Sequence, residues 1–206
     1  MAKKKAAERK SLATWAPAKA KPAKVAYQFR ITLLGIKPKI WRRIQIRDCF
    51  LEDLHWHVQR AFGWTNSHLH DFDIGPDRYG VPPMLDMEEM PDCRDSTKTR
   101  LSRLLPKDGK PFAFKYTHDL GDNWEHEVLF EGVVVSPRRI KCPVCVERER
   151  ACPPEDCGCE AGYEHLLAVL GDPTHEEHAD YQEWMGGFDP EYFDAKEATA
   201  VIREYS

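Results

Sequence analysis

Seven cysteines and nine histidines are the side chains of this 206-residue chain best suited to metal or redox chemistry, and they are unevenly spread. Five of the cysteines, Cys142, Cys145, Cys152, Cys157 and Cys159, fall within 18 residues. Thiolates hold Zn²⁺ at ~2.3 Å, and a structural site takes four ligands. The Cys142-x2-Cys145 step lets two sulfurs converge on one ion, although the next cysteines follow sooner than in a standard finger. A histidine could complete such a set, and His126 and His118 are candidates. The alternatives are reduced thiols in a Pro-rich loop, or redox use of the CxxC, which lacks the strand-to-helix setting of a thioredoxin motif. An odd cysteine count and no apolar h-region at the N-terminus argue against a disulfide framework and for a cytoplasmic location.

Three further constellations carry titratable groups. In Ser67-His68-Leu69-His70-Asp71-Phe72-Asp73, a strand would put His68 and His70 on one face, within reach of one ion. The HxHxDH pattern of binuclear hydrolases fails there, and hydrogen-bonded imidazoles at a sheet edge are the plainer reading. In the run from His118 to His126, Asp119 and Asp122 flank Gly121. They could bind a cation, but turn chemistry explains them equally. Trp124 is a core or cleft aromatic. His175-Glu176-Glu177-His178 has the wrong spacing for HExxH, whose histidines stand four apart on one helix face. No GxSxG, GxGxxG or P-loop pattern is present.

The elements that must hold these groups follow from periodicity. Tyr27, Phe29, Ile31 and Leu33 alternate with polar residues, and so do Ile40, Arg42, Ile44 and Ile46, which predicts a hairpin across Gly35–Lys39. Leu51, Leu54, Val58, Ala61 and Phe62 predict a helix over 51–62, with Asp48 as N-cap and Gly63 as C-cap. A short strand is expected over 68–75, a long irregular loop over 76–99, and a docked turn or strand over 100–105. Two strands are expected over 112–117 and 125–135, the cysteine loop over 136–161, and helices over 163–170, 176–185 and 195–205. The order predicts an α+β fold: a mainly antiparallel sheet with one early helix packed on it and helices at the C-terminus.

Charge divides the chain. Residues 1–24 carry eight Lys/Arg, among them Lys3, Lys4, Lys5, Arg9 and Lys10, against Glu8, for a net +7. The rest carries −11. That split excludes a uniformly basic nucleic-acid-binding domain and leaves contact through a disordered basic tail, with a single domain over 25–206. No apolar run reaches the ~20 residues of a membrane helix.

Five segments, GIKPKIWRRIQI (35–46), GWTNSHLHDF (63–72), DLGDNWEHEV (119–128), ACPPEDCG (151–158) and GYEHLL (162–167), resemble those of the Ri-plasmid ORF-three-like family of plasmid and insertion-element proteins. The resemblance spans about 25–205, implies a small α+β domain, and supplies no established activity. Its motifs match at Trp41, Arg42, Arg43, His68, His70, Phe72, Gly121, Asp122, Trp124, His126 and the run Cys152–Cys157, with Cys145 the better-placed preceding cysteine. It thus implies His126, Cys145, Cys152 and Cys157 as the ligand set for zinc. Cys142 and Cys159 depart from the family pattern. Three readings follow. One is a zinc-stapled binding or adaptor module with a protein partner. A second is a metal-dependent enzyme with His68, His70, Asp122, Trp124 and Glu125 about a cleft. The third is a DNA-associated accessory acting through the basic tail.

Overall fold

The computed structural model describes residues 24–204, apart from 86, 89–91 and 137–141. Residues 1–23, with Lys3, Lys4, Lys5, Arg9 and Lys10, lie outside the described residues.

The predicted hairpin forms from β1 (Lys24–Leu33) and β2 (Ile40–Ile46), antiparallel and in register from Tyr27↔Ile46 to Leu33↔Ile40. Alternation turns Ile40, Arg42, Ile44 and Ile46 inward, so one guanidinium stands in an aliphatic row. The helix α1 (Leu51–Phe62) has the predicted bounds, and Gly63 ends it at φ +93°, a left-handed C-cap suited to glycine. Its start differs from expectation. Phe50 is the cap residue, and its N–H donates to Asp53 Oδ2 at 2.9 Å. Asp48 instead accepts from Ser102 N–H (2.9 Å), Ser102 Oγ (2.9 Å) and Arg100 Nε (2.9 Å), tying the entry of α1 to a later turn.

The stretch expected as a long loop is more ordered than predicted. It contains β4 (Asp77–Gly80), the helical turn α2 (Pro82–Leu85), β5 (Arg94–Asp95) and a 3-10 turn at Ser96–Lys98. These pieces are too short and polar to show a period, and backbone pairing of β4 to β3 (His70–Ile74) and of β5 to β4 orders the strands among them. The turn α3 (Leu101–Leu104) follows, then β6 (Phe112–His118) and β7 (Trp124–Ser136), both as expected. The cysteine segment also differs: within it lies β8 (Val144–Glu149), an edge strand paired with β2. Cys145 N–H donates to Thr199 Oγ1 (3.1 Å) and Thr199 Oγ1 donates back to the Cys145 carbonyl (3.3 Å), which satisfies backbone groups the edge would otherwise strand. Helices α4 (Cys159–Gly171), α5 (His178–Met185) and α6 (Ala195–Glu204) close the chain.

Among the described residues, eight strands form one sheet in the order β5-β4-β3-β6-β7-β1-β2-β8, antiparallel except for β4–β5. Helix α1 contacts β2 and α6, and α6 contacts β8. The core joins Phe29, Ile31 and Leu33 of β1, Leu51, Leu54 and Val58 of α1, Leu166 of α4 and Ile202 of α6, all essentially without solvent access. Full burial of each such side chain contributes ~1.5–3 kcal/mol. No helix among the described residues is long and apolar enough to cross a membrane.

Candidate metal-binding cleft

Five histidines gather at one end of the sheet. His55 stands on α1 in the stripe of Leu51, Leu54, Val58 and Phe62, so helical spacing carries it into the core. His70 opens β3, His118 closes β6 and His126 stands near the start of β7; all three are buried. His68, two residues before β3, is half-buried.

A hydrogen-bonded network fixes the inner part. Gln59 Nε2 donates to the Tyr116 hydroxyl at 3.0 Å, and that hydroxyl donates to His55 Nδ1 at 2.8 Å. His55 Nε2–H donates to Asn66 Oδ1 at 2.6 Å, while Gln59 Oε1 accepts from Asn66 N–H at 3.1 Å. Asn66 holds φ +63°, a left-handed conformation that asparagine tolerates. His55 is therefore the neutral Nε2–H tautomer. Burial, and then the stacked His70 ring, push its pKa well below the usual value.

Among the described residues, two groups bring one ligand atom from each of three side chains within 4.8 Å: Glu52–His55–His70 and His68–Asp119–Asp156. Chemistry separates them. The His55 and His70 rings stack 3.4 Å apart at 6°, so their in-plane lone pairs run past one another and cannot meet at one ion. Both nitrogens of His55 are also committed. His70 Nε2 is 3.3 Å from Glu52 Oε2 but lacks hydrogen-bond geometry.

The second group is better formed. His68 Nε2 lies 3.1 Å from Asp156 Oδ1, and its Nδ1 lies 3.5 Å from Asp119 Oδ2. The turn after β6 aims Asp119. Its Oδ1 accepts from Gly121 N–H (2.9 Å) and Asp122 N–H (3.3 Å), which leaves Oδ2 facing His68. Asp156 is delivered by the 151–158 loop, which three contacts dock onto the segment after α1. Trp64 Nε1 donates to the Pro153 carbonyl at 3.0 Å, Thr65 N–H donates to Glu155 Oε1 at 3.0 Å, and the Thr65 hydroxyl also bonds Glu155. Behind the group lies His118, only 1% exposed, with neither ring nitrogen hydrogen-bonded. Its ring centroid is 5.9 Å from that of His68, and its Nε2 is 3.9 Å from Glu155 Oε1. Burial, then His68, lower its pKa to about 4, so it is a neutral imidazole at pH 7. A cavity of about 290 Å³, lined by Glu52, Asn66, Ser67, His68 and His70, opens beside His68.

The remaining sequence candidates are spread out. His68 and His70 line the same cavity but join different groups. Trp124 is buried in an aromatic stack, its ring 6.2 Å from that of Trp64. Asp122 sits by Cys157, whose thiol pKa is raised by burial first and then by the Asp122 charge. Glu125 leaves the cleft, because strand alternation turns it to the opposite face, where it bonds Lys115 Nζ at 2.9 Å. His126 Nδ1–H donates to the Trp124 carbonyl at 3.0 Å, and the Phe62 and Trp64 rings close on it edge-on at 5.1 and 5.4 Å. Cys145 and Cys152 lie near Arg42, and Cys157 lies near Asp122 and Cys159. No three of His126, Cys145, Cys152 and Cys157 bring their ligand atoms within 4.8 Å of one another. Glu52, His55 and Asn66 were absent from the sequence candidates. A signal existed for one of them: His55 is a polar residue on the apolar stripe of α1.

A protein-family profile described as "plasmid pRiA4b ORF-3-like protein" matches residues 25–197. The uncharacterised protein y4hQ of Sinorhizobium fredii is 35% identical over 164 residues, which cover 79% of this chain and 81% of the relative. Among solved structures, the crystal structure of MM3350 from Methanosarcina mazei Go1, a protein of unknown function, superposes with a TM-score of 0.74 at 35% identity. That match covers 85% of this chain and 98% of that one.

Proposed function

The chain belongs to the plasmid pRiA4b ORF-3-like family, and we propose that it is a divalent-metal-dependent enzyme of hydrolytic type whose ion is held by His68, Asp119 and Asp156. One observation carries the reading. Three segments distant in sequence, 63–72, 119–128 and 151–158, each deliver one ligand-capable side chain to a single point, with ligand atoms within 4.8 Å of one another, and His68 also lines the neighbouring cavity. One imidazole and two carboxylates suit Zn²⁺, our proposed cofactor, and also Mn²⁺. Three protein ligands leave coordination positions for water or substrate, as in catalytic rather than structural sites. An ion there would lower the pKa of a bound water and polarise a substrate oxygen. Seven free cysteines suit a reducing compartment, and a cytoplasmic location is part of the proposal. So is plasmid or mobile-element origin, which the family description supports.

Metal analysis and zinc titration of purified full-length protein test this. The wild type should bind one equivalent; His68→Ala and Asp119→Asn should lose it, while Cys145→Ser and Cys152→Ser should keep it. Loss confined to the cysteine variants would replace the reading with the zinc-stapled binding module. A wild type that takes up no zinc or manganese would remove both.

A further inference from the structure

A cavity of about 400 Å³ lies on the other side of Trp64, lined by Phe62, Trp64, Cys152, Tyr192, Phe193 and Val201, among others. Its size falls in the range of small-molecule sites. Tyr192 is 60% exposed and Val201 is 38% exposed, so its rim offers apolar surface to solvent. Behind its wall lies the one charged member of the inward row of β2. Arg42 has no solvent access. Its Nε donates to the Ala61 carbonyl at 2.9 Å, and its Nη1 donates to the Trp41 (2.9 Å) and Glu149 (3.0 Å) carbonyls. Nη2 has no hydrogen-bond partner. The guanidinium carbon lies 3.9 Å from the Phe193 ring centroid and 4.9 Å from that of Phe62, both cavity-lining residues.

A second guanidinium joins it. Arg148 faces Arg42 directly in the β2–β8 register, lies 4.6 Å from the same Phe193 ring, and also has a buried terminal nitrogen, Nη1, without a partner. Two adjacent cations in a dry setting call for negative charge, and the two carboxylates that line the cavity, Asp194 and Glu197, stand at the start of α6. The groups acting most on Arg42 are Cys152, Cys145 and Arg148, none of them a carboxylate. Burial keeps the Cys152 thiol protonated, its pKa well above the ordinary value. Asp194, on the cavity wall, feels Arg148, but its carboxylate caps α6 by accepting from Lys196 N–H (2.6 Å) and Glu197 N–H (3.3 Å). The carbonyl of Ala61 belongs to the negative end of α1, which offsets part of the Arg42 charge and leaves Nη2 unanswered.

We propose that this cavity binds a small organic oxyanion: its charged head reaches Arg42 and Arg148, and its apolar body lies against Phe62, Trp64 and Tyr192. A guanidinium presents a planar fork that matches carboxylate or phosphate oxygens, and charge-assisted bonds of this kind are the strong ones. The Phe193 ring holds the place against the two guanidiniums that the head group would take, so it must rotate on binding. The site is separate from the metal cleft, and its test does not depend on the metal.

Calorimetric titration of the full-length protein with benzoate, phenyl phosphate and the neutral analogue benzamide tests the proposal. Benzoate or phenyl phosphate should bind saturably, and benzamide ~tenfold more weakly or worse. Whichever anion binds more tightly identifies the head group. Arg148→Gln, on the edge strand, should weaken that anion ~tenfold without changing the far-ultraviolet circular dichroism. Phe193→Ala should leave binding intact or tighten it. Arg42→Gln should abolish binding if it folds, and Arg148→Gln decides the question if it does not. Benzamide binding as well as benzoate, unchanged affinity in Arg148→Gln, or no saturable binding of either anion in the millimolar range would each overturn the proposal.

Discussion

Replacing Tyr116 with phenylalanine removes one oxygen from the centre of the histidine cluster and leaves the ring. The ring keeps its packing against Phe72 and His126, at centroid distances of 4.9 and 5.2 Å, so no cavity is opened. Lost are two buried hydrogen bonds, from Gln59 Nε2 at 3.0 Å and to His55 Nδ1 at 2.8 Å. Water has no access to Tyr116, and both former partners become orphans. Leaving a buried polar group unsatisfied costs ~1–3 kcal/mol, so the pair should cost about 2–4 kcal/mol. Urea titration followed by circular dichroism should show the midpoint falling with an unchanged slope. Melting should drop by roughly 5–15 °C for a domain of this size. A double-mutant cycle with Gln59→Leu isolates the network, because the two losses should be far from additive. A loss below ~0.5 kcal/mol for Tyr116→Phe, or strict additivity in the cycle, would show that the network does not hold the cleft as described.

Other predictions follow from the same geometry. Gly162→Ala should destabilise by several times ~1 kcal/mol in a thermal melt, because a Cβ there would lie 1.9 Å from the Cys157 carbonyl oxygen, which is backbone. Gly63→Ala should cost only ~1 kcal/mol, since the site is open and only its φ of +93° opposes a side chain. His126 sets a pH dependence. Burial lowers its folded pKa to about 3 from 6.5, so its contribution is complete above pH 6.5 and is lost as pH falls toward 3. His126→Gln should flatten the acid limb of stability measured by urea titration across that window. Trp64→Phe, which loses the 3.0 Å bond to the Pro153 carbonyl, should loosen the 151–158 loop and weaken zinc binding in titration without unfolding the chain.

Periodicity carried much of the fold. The bounds of α1, the β1–β2 hairpin and the long strands β6 and β7 were legible because each repeats a hydrophobic spacing over several residues. Strand β8 was not, because it is a short edge strand in which Cys145 alone is deeply buried and Thr199 of α6 completes its backbone bonding. The same limit hid β4 and β5. In the cleft, His68 was legible from its motif. Asp119 was legible as a cation ligand or a turn residue alike, because one of its oxygens holds the turn and the other faces His68. Glu125 misled for a simple reason: adjacency in sequence to Trp124 and His126 places it on the opposite face of the strand. The network of His55, Gln59 and Asn66 joins a helix to the loop after it through side-chain bonds, which no spacing rule reports.

X-ray absorption at the zinc edge, on full-length protein loaded with one equivalent of zinc, tests the metal assignment most directly. Coordination by His68, Asp119 and Asp156 predicts a shell of nitrogen and oxygen at ~2.0–2.2 Å with no sulfur. A shell dominated by sulfur at ~2.3 Å would contradict it and return the ion to the cysteines.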